Sequence, residues 1–192
     1  MFRSAAESIR GSDRVLNAVV HLALIVGASL FVAICAQVTL PLPFTPVPLT
    51  LQNFGVLVVG MTLGSRRGFA ALALYLVEGM IGLPVFNPTG LGGLAQLAGP
   101  TGGFLLVYPF VAGVAGLIME SGRRNFVRAA TAAFVAEIVL FAGGLSWLAI
   151  LTHSVAQAVR FGLYWFVFAE VIKIMLSAGI ATGWRRFREV RG

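Results

Sequence analysis

Leu16–Ala36 reads LNAVVHLALIVGASLFVAICA, 21 residues without one Asp, Glu, Lys or Arg. A helix of that length rises about 30 Å, the thickness of a bilayer's hydrocarbon core, so the stretch predicts a membrane span. No A-x-A-like cleavage site follows it, and it reads as a retained helix rather than a signal peptide. Residues 1–14 (MFRSAAESIRGSDR) are polar and charged and read as a cytoplasmic lead-in.

The whole 192-residue chain has the same character. Hydrophobic residues make up 58% and charged residues only 11%, and the mean hydropathy is +0.93. A soluble domain this small cannot hide so much apolar surface, because surface grows relative to volume as domains shrink. There is length for about six crossings at about 20 residues each. The net charge of +7 does not point to nucleic acid, since the basic residues form short clusters between apolar runs. Cys35 is the only cysteine, which excludes disulfide scaffolds and multi-Cys zinc sites.

Five further apolar runs follow: Leu51–Gly64, Gly68–Leu83, Gly102–Met119, Phe126–Leu151 and Phe161–Gly183. The expected fold is an all-α integral membrane protein of six transmembrane helices. Its parts are a cytoplasmic N-terminal segment 1–14, a transmembrane substrate-binding domain 15–184, and a basic cytoplasmic tail 185–192. Between the first two runs, TLPLPFTPVPLT (Thr39–Thr50) carries four prolines that remove backbone donors and disfavour helix. It reads as a semi-rigid extended loop. The short second run then needs protein-covered flanking backbone to complete a crossing.

Orientation follows from the basic residues. With the N-terminus inside, twelve of the 14 Lys and Arg fall on the inner side: Arg3, Arg10, Arg14, Arg66, Arg67, Arg123, Arg124, Arg128, Arg185, Arg186, Arg188 and Arg191. Both termini are therefore expected in the cytoplasm. Trp147, Tyr164 and Trp165 then fall near outer helix ends and Trp184 near an inner one. The outer loops are uncharged and rich in Pro, Gly, Thr and Asn, as suits a protein that meets something from outside.

The last span contains FVFAEVIKIML (Phe166–Leu176), with Glu170 and Lys173 three residues apart on one helix face. Charges within a span face a cavity, a partner or each other. The pair is either a buried ion pair alone or the polar end of a site for a small solute with a carboxylate or urea-like head. Counted from Phe161 along a continuous helix, it lies about 12–18 Å below the outer end. Glu137 in the fifth span serves either the cavity or helix packing. Glu78 reads as snorkelling to the interface.

Asn87 offers an uncharged donor and acceptor, though Asn-Pro also starts turns. Thr50 is a candidate ligand contact or a helix cap. Gln52, an amide at the start of a span, wants a partner. Tyr108 and Tyr164, with Phe86 and Trp165, are candidate walls for an apolar ligand body. Ala23 and Gly27 on the first helix form a small-xxx-small face, either for packing in the bundle or for docking a separate membrane subunit. Phosphate-loop, H-E-x-x-H and G-x-S-x-G motifs do not occur, which leaves no ATPase, metal or serine-nucleophile chemistry to read. No metal site or cofactor is expected. A polytopic membrane enzyme would have only Glu170 or Glu137 as acid/base.

Four motifs in order carry a resemblance: VPLTLQ (Val47–Gln52), GLPVF (Gly82–Phe86), GPTGGF (Gly99–Phe104) and the E-x-x-K of the last span. With them the chain resembles the BioY family, the biotin-binding S components of energy-coupling-factor (ECF) vitamin transporters, over nearly its whole length. The resemblance implies an S-component-like bundle in the bacterial plasma membrane that captures biotin near the outer face. It implies an ECF coupling transmembrane protein and ATPase subunits as partners. It also implies biotin contacts at Asn87, Glu170 and Lys173, and coupling-protein docking at Ala23-x-x-x-Gly27, where the family motif is Ala-x-x-x-Ala. A solitary transporter without ATPase partners is the alternative.

Overall fold

The computed structural model describes the backbone of residues 2–189 and the side chains of residues 15–183. The expected terminal segments therefore lie largely outside the described side chains, including Arg3, Arg10, Arg14, Trp184 and the arginines beyond it. The first apolar run lies in one long helix, α1 (Phe2–Gln37). After the proline loop come α2 (Gln52–Leu63) and α3 (Ser65–Met80). A short α4 (Gly93–Ala98) precedes two long helices, α5 (Gly102–Glu120) and α6 (Phe126–Thr152). The last part comprises α7 (Val155–Val159), a π-helical turn (Arg160–Tyr164) and α8 (Val167–Glu189).

The first five expected spans each coincide with a helix, the sixth is divided between the π-helical turn and α8, and the helices are not six equal crossings. Among the described residues three meet the length and apolarity of a span: Val15–Gln37, Gly102–Glu120 and Phe126–Thr152. The pair Val155–Tyr164 and Val167–Gly183, bent by 47°, makes a fourth if counted as one broken span. With 12 and 16 residues, α2 and α3 rise only about 18 and about 24 Å. The all-α expectation also needs an amendment. Within the proline loop, β1 (Thr39–Leu40) and β2 (Leu49–Thr50) pair antiparallel, with Thr39 opposite Thr50. Pro cannot donate to a ladder, so the two pairs form just outside the proline stretch, and the prolines make the bend.

The burial pattern is inverted relative to a soluble protein. Val19, Leu30, Ile34, Phe110, Phe134 and Phe168 are exposed, while Gln52, Asn53, Asn87, Glu137, Glu170 and Lys173 are buried. Water would penalise such an exterior, whereas a lipid environment does not.

The element α2 is the hub: it touches α1, α3, α5, α6 and α8. Small residues permit this crowding. A Cβ on Gly60 would lie 2.5 Å from the carbonyl oxygen of Ala112 and 2.8 Å from its Cα. The chain turns directly from α2 into α3 at Gly64, whose φ of +86° suits glycine. Glu120 at the end of α5 fastens this turn, accepting from Ser65 N at 2.8 Å and from Ser65 Oγ at 2.7 Å.

The bundle thus has two unlike ends. One carries the turns at Gly64 and at residues 121–125. The other carries the proline loop, the 81–101 loop with α4, and the α6–α8 connection. Thr45 Oγ1 donates to Phe161 O at 2.7 Å, and the rings of Phe44 and Trp165 stack with centroids 4.2 Å apart. These contacts hold the proline loop against the α6–α8 connection.

Candidate functional site

At the loop end lies a partly open cavity. The hub helix brings Gln52 and Asn53 to it, the 81–101 loop brings Asn87, α5 brings Phe104 and Tyr108, α6 brings Phe141, and α8 brings Glu170 and Lys173. Polar groups line one part of the wall, and Val47, Phe104, Leu105, Leu140, Phe141 and Phe166 line the rest. That composition suits a small ligand with a polar head and an apolar body.

The charged pair sits differently from its expected place. Because α8 begins at Val167, Glu170 is in its first turn, where the helix dipole favours a carboxylate. The break at Trp165–Phe166 replaces the continuous helix from Phe161 on which the greater depth rested. Lys173 Nζ donates to Glu170 Oε1 at 2.7 Å. Asn53 Nδ2 donates to Glu170 Oε2 at 2.9 Å and to Glu137 Oε1 at 2.5 Å. All four residues are buried, and one amide thereby ties α2 to both α6 and α8.

Gln52 and Asn87 have partners of their own. Gln52 Nε2 donates to the Tyr75 hydroxyl at 2.7 Å, which donates in turn to Val85 O at 2.8 Å. This relay links the hub helix through α3 to the GLPVF loop. Asn87 Oδ1 accepts from Thr89 Oγ1 at 2.8 Å, and Gly90 N donates to Asn87 O at 3.3 Å. Asn87 therefore both starts a turn and lines the cavity, so the two readings of Asn-Pro coexist. A side chamber shares Pro48, Asn87 and Thr101 with the main cavity and is also lined by Gln96, whose buried Nε2 has no partner among the described residues.

The cavity brings together Thr50, Gln52, Asn87, Tyr108, Glu170 and Lys173. Thr50 lies in β2, and α2 has no side-chain cap. Tyr164 is not brought in: it is 68% exposed and packs edge-on against Trp165, because the π-helical turn carries it to the outside. Phe86 is buried away from the cavity against Tyr75, and Trp165 covers Phe44. Glu78, half-buried, accepts a hydrogen bond from Ser29 and so links α3 to α1. Ala23 and Gly27 are exposed, and a Cβ on Gly27 would meet nothing within 4 Å. Among the described residues they serve no packing within the bundle.

Sequence reasoning missed Asn53, Tyr75 and the aromatic wall of Phe104, Phe141 and Phe166. Asn53 had a visible signal, since it adjoins Gln52 at the start of an apolar run. Its partners lie 84 and 117 residues away, which no local pattern reveals.

A helical bundle with an apolar exterior, a buried ion pair and a partly open polar-and-apolar cavity is the architecture of an integral membrane protein with room for a small solute. The BioY family model matches residues 8–189, and the chain belongs to the BioY family. It is 37% identical to the biotin transporter BioY of Rhizobium etli over 159 residues, covering 79% of this chain and 84% of the relative. It is 34% identical to the biotin transporter BioY of Thermotoga maritima over 158 residues, covering 82% and 92%. Among solved structures it is similar to the S component for biotin from an ECF-type ABC transporter, with a TM-score of 0.79 and 25% identity. That match covers 88% of this chain and 93% of the other. These relatives are transport proteins, and the chain is not an enzyme.

Proposed function

We propose that this chain is the biotin-binding S component of an energy-coupling-factor vitamin transporter. It captures biotin from outside and delivers it inward with an ECF coupling transmembrane protein and ATPase subunits. The observation that carries the reading is the set Asn87, Glu170 and Lys173 around one cavity, together with the names of the relatives. Biotin has a ureido ring with two N–H donors and a carbonyl, an apolar bicycle and a carboxylate. Glu170 and Lys173 supply an acceptor and a donor, Asn87 supplies both, and Gln52 and Thr50 complete the polar wall. Tyr108 and the Phe104, Phe141 and Phe166 rings face the apolar part.

The protein sits in the bacterial plasma membrane with six crossings and both termini in the cytoplasm. Here α2 and α3 are short crossings, continued at the loop end by the proline and 81–101 loops. The basic turns at Arg66–Arg67 and Arg123–Arg124 then lie inside, and the cavity opens outside. Residues 1–14 and 185–192 are the cytoplasmic ends of a single transmembrane domain, 15–184. Tyr164, outside the cavity, is assigned to the membrane interface rather than to the ligand.

Ala23 and Gly27 face outward on α1 and let a partner helix approach closely. Gly27→Leu should leave biotin affinity within about twofold and abolish co-purification with the coupling protein. Retained co-purification would move docking to another face. The transport reading is tested by uptake of labelled biotin into vesicles holding the chain with its partner subunits. ATP-dependent accumulation supports it, whereas equal accumulation without ATPase subunits favours a solitary transporter.

A further inference from the structure

Asn53 has a part in the site that its neighbours define. Its amide nitrogen has two protons, and both are used, one on Glu137 Oε1 and one on Glu170 Oε2. This fixes which way the amide faces. Reversed, its oxygen would face the Glu170 oxygen that here accepts from Asn53, setting two acceptors against each other. The opposite end of the amide, Asn53 Oδ1, is buried and has no hydrogen-bond partner among the described residues, although Asn53 is 4% exposed and lines the cavity. A buried acceptor without a donor is costly, so a ligand donor there has a large effect.

We propose that Asn53 is a specificity-determining residue whose Oδ1 accepts a ureido N–H of the ligand, and that Glu137 is the positioning residue that locks the amide in that orientation. The acceptor end formed by Asn53 and Glu170 selects ligands that bring N–H groups. It disfavours a carboxylate at the same spot by repulsion. Glu137 need not touch the ligand: it lines a groove between α6 and α8 rather than the cavity. The inference rests on the biotin reading above and deepens it.

The test is equilibrium binding of the full chain in detergent to biotin and to its two mono-N-methyl ureido isomers. The wild type should bind at least one isomer tenfold or more weakly than biotin. Asn53→Ala should weaken biotin binding tenfold or more and bring that ratio close to one. Glu137→Leu should also shrink the ratio, and Glu137→Gln should restore it, because its amide oxygen can still accept from Asn53. A merely structural role would lower all affinities together and leave the ratio unchanged. Wild-type protein that binds both isomers as tightly as biotin overturns the proposal without any variant. An unchanged ratio in folded Asn53→Ala, or in the Glu137 pair, also overturns it. Wild-type protein that binds no biotin at all overturns the underlying reading together with this one.

Discussion

Lys173→Met should reduce biotin affinity by well over tenfold, the largest effect expected of any single substitution in the cavity. Among the described residues its ammonium is the only cation in the cavity wall, and it lies 2.7 Å from Glu170. Its removal takes away a donor facing the ligand and leaves a buried carboxylate without its counter-charge. Losing one buried hydrogen-bonding partner costs about 1–3 kcal/mol, and each tenfold in affinity corresponds to about 1.4 kcal/mol. Breaking one side of a buried pair also costs about 3–5 kcal/mol of stability, so thermal unfolding in detergent must be followed beside binding. The double variant Glu170→Gln/Lys173→Met separates the two effects. Removing both charges relieves the unpaired carboxylate, and the amide oxygen introduced in place of the carboxylate still accepts from Asn53. The unfolding midpoint of the double variant should recover toward wild type while biotin binding stays lost. Recovery of binding along with stability would make the pair a structural ion pair and nothing more.

Gly60→Val should be the most destabilising change away from the cavity. The added Cβ would meet the Ala112 backbone at 2.5–2.8 Å, and backbone in the middle of α5 cannot turn aside as a side chain can. Overpacking of this kind costs about 1–3 kcal/mol. The strain also reaches the cavity, because α2 carries Gln52 and Asn53 two turns above Gly60, and the hub helix must tilt as one body. A drop of several degrees in the unfolding midpoint, together with weaker biotin binding, is the expected result. Gly27→Ala is the control, since its Cβ meets nothing and should leave both unchanged. Equal effects at the two positions would mean that the α2–α5 approach is not what fixes the bundle.

Elements that depend on local composition were legible in the sequence. The run Leu16–Ala36 lies within α1, and the Gly102–Met119 and Phe126–Leu151 runs match α5 and α6 to within a residue or so. The Leu51–Gly64 run was already short, as α2 with its 12 residues is, but hydropathy reads a buried or lipid-facing helix equally well and so could not foresee that α2 is the hub. The break before α8 was hidden for a related reason. Phe161–Phe168 is uniformly apolar and aromatic, and no Pro or charge marks where the helix bends. In the site, Glu170 and Lys173 announced themselves because charge is rare in a span. Tyr164 was misplaced because an aromatic side chain at a helix end gives no sign of which face it occupies. The lock on Asn53 is purely tertiary, made by residues from three helices.

The most direct test of the central claim is equilibrium binding of biotin to the chain purified alone in detergent, with thiamine and riboflavin as controls. Saturable one-to-one binding of biotin, with neither control competing, is the predicted result. A well-folded sample that binds no biotin, or binds all three alike, would contradict it.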